Sequence, residues 1–157
     1  MRRTAYLISL LGLAATLYAA DPFLGTWKLN VAKSKVPSNS PFAAKDVTVV
    51  AEEKGDLVDV TVKGTAENGS PISVHYTVPK SGGVLKFEQG GPTNDITVTT
   101  RRIGNNTMDS VITSADGKQV GTDHSVVSPN GKSLRLSRKG ADPQGKPFET
   151  VEIYEKP

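Results

Sequence analysis

The sequence has no cysteine in its 157 residues, a single tryptophan, two histidines and only 6% aromatic residues. The missing cysteine excludes disulfides and a lipid-modified N-terminal cysteine alike, so packing alone must hold the fold. Two histidines without a His-x-x-x-His spacing offer no metal centre, and neither a metal nor another cofactor is expected. Ser125 adjoins His124, but neighbours on a strand point to opposite faces and cannot form a nucleophile–base pair. An enzyme is therefore not expected. Beyond the first twenty residues no window carries a sustained helical stripe, and none is long and apolar enough to span a bilayer.

Charge of one sign is also missing. The chain has 19 Lys+Arg against 16 Asp+Glu, and two of the basic residues are Arg2 and Arg3. Behind them Ala5 to Leu17 form an apolar run, followed by Ala19, Ala20 and Asp21. This order of charge, apolar run and small residues reads as a secretory signal peptide over residues 1–20, cut after Ala19 or Ala20. Residues 21–157 are then a single exported domain, periplasmic or extracellular. Without Arg2 and Arg3 its charge is close to zero, so neither nucleic acid nor an anionic membrane is expected as a partner.

What is abundant is glycine at regular intervals. Turn signals stand at KGD (54–56), NGS (68–70), SGG (81–83), GGPTND (90–95), GNN (104–106), DGK (116–118), PNGK (129–132) and GADPQGK (140–146). Each offers a residue suited to tight hairpin turns. Between them lie runs rich in Val, Ile and Thr. Val58, Val60 and Val62 alternate with Asp59, Thr61 and Lys63, and Ile72, Val74, Tyr76 and Val78 alternate with Ser73, His75 and Thr77. Period two over so many segments predicts half-buried antiparallel strands. With the opening segment 23–32 the count is about ten, joined in chain order. An up-and-down sheet that long is relieved of its exposed edges by closing into a barrel. A β-sandwich is the alternative, but its crossing connections need longer links than this chain has.

The two ends of this domain carry a resemblance. FLGTWKLN (23–30) is similar to the signature of fatty-acid-binding proteins, and IYEK (153–156) is similar to that family's last strand. With about ten strands between them, the chain resembles the calycin group of lipocalins and fatty-acid-binding proteins. The resemblance implies a barrel enclosing a ligand, with Gly25 and Trp27 as structural residues. Gly25 would admit a close approach of another segment, and Trp27 would plug the floor with a cation, Arg135 or Arg138, across its ring.

The departures from that family bear on the ligand. At the positions of the family's two carboxylate-binding arginines this chain places His124 and Glu152, with Tyr154 retained. These three are the candidate ligand-binding residues, joined by Arg102 in register with Ile96, Val98 and Thr100. A carboxylate cannot hold a carboxylate unless one of them is protonated. A neutral apolar ligand is therefore favoured over a fatty-acid anion. The link 34–45 has twelve positions and two prolines, too few for the family's helical lid, leaving a mouth that is open or capped by a loop around Phe42. The leading expectation is a monomeric secreted barrel carrying a small hydrophobic ligand. The alternative is a barrel filled by its own side chains that serves as an interaction module for another exported protein.

Overall fold

The computed structural model describes residues 20–38, 40–91, 95–142 and 144–157. The expected leader, apart from Ala20, lies outside the described residues. Ten strands follow in chain order: β1 (Gly25–Leu29), β2 (Ala44–Lys54), β3 (Leu57–Ala66), β4 (Pro71–Pro79), β5 (Gly82–Gln89), β6 (Ile96–Arg102), β7 (Thr107–Ser114), β8 (Gln119–Val127), β9 (Ser133–Ala141) and β10 (Pro147–Glu155). Every strand pairs antiparallel with its neighbour in sequence, and β1 pairs with β10, so the sheet closes on itself. Among the described residues the one helical piece is a 3-10 turn at Val31–Lys33, and no helix is long and apolar enough to cross a membrane.

The closing seam is the shortest junction. Only Lys28↔Glu155 and Leu29↔Tyr154 are in strand register. The chain then continues along β10 as a bent edge. The Asn30 amide donates to the Ile153 carbonyl at 2.7 Å, and Lys35 and Val151 exchange amide bonds at 2.7 and 2.9 Å. Ser34 Oγ accepts from the Ile153 amide at 2.9 Å. The 3-10 turn thus carries the strand direction around the corner without leaving β10 unpaired, as a buried backbone requires.

Hairpins alternate between two ends. At one end the turns after β2, β4, β6 and β8 surround a core of Trp27, Val47, Val127 and Tyr154, packed with Phe23 and Leu29. Trp27 is 2% exposed, and its indole N–H donates to the Phe23 carbonyl at 2.9 Å. The cation over its ring is Lys156, with Nζ 4.7 Å from the centroid. This corrects the choice of Arg135 or Arg138. Trp27 lies beside the β1–β10 seam, so the residue just past the end of β10 reaches it. Arg135 alternates outward from Leu134 and Leu136, and Arg138 sits further along β9. Gly25 is required for its backbone, with φ at +108°, rather than for a close approach: a Cβ there would meet Lys156 at an ordinary 3.6 Å.

At the other end the link before β2 folds over the opening. Phe42 packs edge-on against Phe148 at 5.4 Å between centroids. Phe148 in turn needs Gly140, where a Cβ would come within 2.9 Å of its ring. The loop around Phe42 stands at the mouth, where Pro41, Phe42 and Ala43 line the cavity.

Because Trp27 fills the floor and no neighbour can replace it, Trp27→Ala should lose on the order of 3–5 kcal/mol of stability. Chemical denaturation measures this, and a loss under about 1 kcal/mol would place the ring outside the packed floor.

Candidate functional site

Between floor and mouth lies a cavity of about 480 Å³. Strand alternation supplies its apolar wall: Val47 and Val49 from β2, Val62 from β3, Ile72 and Val74 from β4, Leu134 and Leu136 from β9. The same alternation brings four polar side chains to the interior, namely Tyr76, Arg138, Glu152 and Tyr154.

Glu152 is 4% exposed. Its carboxylate accepts from the Tyr154 hydroxyl at 2.7 Å and from the Thr150 hydroxyl at 3.2 Å. Arg138 Nη1 approaches it to 4.0 Å, while Arg138 Nε donates to Asp123 Oδ1 at 3.1 Å. The guanidinium also lies against the Phe42 ring, 4.1 Å from its centroid, so the mouth loop rests on the polar cluster. One cation is thus shared between two carboxyl groups. Buried charge is tolerated only when paired in this way.

The pKa directions follow from burial. Desolvation raises Asp123, with Glu152 adding to the rise and Arg138 opposing it. Arg138 is raised because the two carboxylates outweigh its desolvation. Burial raises Tyr154, and Glu152 adds to it through charge and hydrogen bond. Burial also raises Tyr76. Both phenols therefore stay protonated well past neutrality and act as donors.

The expected site residues divide. Glu152 and Tyr154 face the cavity and touch each other. His124 does not join them: its side chain is 52% exposed on the outer face of β8 and bonds through Nδ1 to Asp109 at 2.6 Å. The inward residues of β8 are Gly121, Asp123, Ser125 and Val127, one place out of step with the expectation. Arg102 is in the inward register but at the end of β6, over the Phe23 ring at 4.6 Å and ion-paired with Asp21. It belongs to the closed end and does not line the cavity.

Sequence reasoning missed Arg138 as a cavity residue, Asp123 and Tyr76. Two of them carried a readable signal. Arg138 continues the Leu134–Leu136 face, and Tyr76 continues the Ile72–Val74 face.

No protein-family model matches the sequence, and no curated protein matches it. Solved structures do. Rv2717c from M. tuberculosis superposes with a TM-score of 0.56 at 20% identity, covering 92% of this chain and 99% of that one. A variant of the fluorescent protein UnaG gives 0.53 at 17% identity, covering 87% and 96%. The zebrafish ileal bile acid-binding protein complexed with cholic acid gives 0.50 at 14% identity, covering 87% and 99%. The fold is a calycin fold. Its ten antiparallel strands close up-and-down as in a fatty-acid-binding-protein-like barrel. At these identities the likeness establishes the architecture alone, and the cavity has to be read from its own residues.

The raised Asp123 has a consequence for stability. A carboxyl whose folded pKa exceeds its unfolded value, about 3.9, contributes fully below that value. Its contribution is lost as pH rises through the folded value. Asp123→Asn cannot ionise, so its stability relative to the parent should rise as pH goes from about 4 upward and then level off. Denaturation midpoints of both proteins across the acid range test the sign. A relative stability that falls with pH would show that the Arg138 pairing outweighs burial.

Proposed function

We propose that the protein is an exported carrier that holds a small, neutral, largely apolar molecule inside the barrel. The observation that supports this most is the make-up of the cavity: an aliphatic wall around a single arginine already committed to two carboxyl groups. A cavity of this volume falls within the range of small-molecule sites. A fatty-acid anion entering it would meet Glu152 as well as Arg138, whose Nε is already bonded to Asp123. Two unit charges about 4 Å apart interact by roughly 4 kcal/mol at an effective dielectric constant near 20, so an unpaired anion is selected against. That the zebrafish neighbour is complexed with cholic acid adds to the case for a small hydrophobic ligand, without fixing its head group.

Displacement of the neutral dye Nile red tests the reading. At neutral pH lauryl alcohol should compete at least about tenfold better than lauric acid, a difference of about 1.4 kcal/mol. Glu152→Gln, which keeps an acceptor for Tyr154 and removes the charge, should narrow that gap. Tighter binding of the acid would make Arg138 an anion site and overturn the preference. Failure of every competitor would favour the alternative of a filled barrel that binds another exported protein. Export itself is checked by N-terminal sequencing of the secreted form, expected to start at Ala20 or Asp21.

A further inference from the structure

Two groups that line the cavity have donors without a partner among the described residues. Glu152 already accepts two hydroxyl protons, from Tyr154 and Thr150. Arg138 uses its Nε–H on Asp123, but its Nη1 stands 4.0 Å from Glu152, beyond hydrogen-bond range. Tyr76, on β4 across the barrel from β9, lines the same cavity. Its hydroxyl has no hydrogen-bond partner among the described residues. No fully enclosed side-chain polar atom is left unpaired among them, so this hydroxyl opens onto the cavity space. Its ring is seated against Phe87 at 5.5 Å between centroids.

The cavity therefore presents the Tyr76 hydroxyl and the guanidinium Nη groups as donors, while each oxygen of Glu152 already accepts one hydrogen bond. The charge is accounted for as well: Arg138 bonds to Asp123 at 3.1 Å and lies 4.0 Å from Glu152. A ligand that completes this arrangement must accept hydrogen bonds without bringing charge. We infer that the head group of the ligand is a neutral carbonyl, as in a ketone, aldehyde or ester, held by Tyr76 and Arg138. This rests on the reading of the barrel as a carrier of a neutral apolar molecule, and narrows it to one chemical class. It also makes Tyr76 a specificity-determining residue, distinct from the Glu152–Tyr154 pair.

The experiment is Nile red displacement by methyl undecyl ketone, tridecane, lauryl alcohol and laurylamine, on the parent protein and on Tyr76→Phe. The ketone should compete better than tridecane by about tenfold, and Tyr76→Phe should remove most of that advantage. Tridecane should bind both proteins alike, which also reports that the variant is folded. Isotope-edited infrared spectroscopy of a carbonyl-labelled ketone gives a second readout. Its stretch should move to lower frequency on binding and return part of the way in Tyr76→Phe, an effect that a purely structural role would not produce. Equal binding of ketone and tridecane, or a preference for the amine, would overturn the carbonyl assignment while leaving the carrier intact. Absence of displacement by any of the four would overturn both.

Discussion

The structure depends on the closure of the sheet at its narrowest junction. β1 is five residues long and meets β10 at only two strand positions, yet this contact turns an open sheet with two edges into a surface without any. The bent continuation through Asn30, Ser34 and Lys35 supplies the hydrogen bonds that a longer strand would have made. Two side-chain contacts reinforce it: Asn30 Nδ2 and Lys33 Nζ donate to the two oxygens of Glu155 at 2.9 and 2.6 Å. With the seam open, the wall of the cavity would be lost together with the low-dielectric space that gives Arg138, Asp123 and Glu152 their character.

That space explains why the polar cluster can exist at all. An isolated guanidinium or carboxylate taken from water into a protein interior is penalised by several kcal/mol. Here each group meets a partner, and the phenol of Tyr154 and the hydroxyl of Thr150 satisfy what the arginine does not reach. The mouth loop contributes too, because the Phe42 ring covers one face of the guanidinium. The mouth loop and the polar centre are thus mechanically coupled.

The architecture was legible because two signals agreed: glycine turns at even intervals, and alternation in β3 and β4 strong enough to show which residues face inward. Trp27 was legible as a floor residue through the resemblance carried by FLGTWKLN. The site was legible in part. Glu152 and Tyr154 were placed on one face by counting along β10, where Thr150 and Phe148 share that face. In β8 His124 came from matching the family's arginine position, and there the match was one residue out. In QVGTDHSVV the inward residues include Asp123 and Ser125 and the outward ones Thr122 and His124, so polarity does not label the faces, and an irregularity between Ile112 and Thr113 shifts the register against β7. A one-residue slip exchanged Asp123 for His124. The cation over Trp27 depends on a contact between chain ends that no local pattern encodes.

The seam also has a kinetic meaning. It joins Lys28 to Glu155 and Leu29 to Tyr154, nearly the greatest sequence separation the domain allows. The remaining nine strand pairings are hairpins between consecutive strands and can form locally, but closure must wait until the last strand has been made. Throughout synthesis the growing sheet therefore carries an unpaired β1 edge and an uncovered aliphatic face. Whatever handles the nascent chain meets an aliphatic face that the finished molecule turns inward.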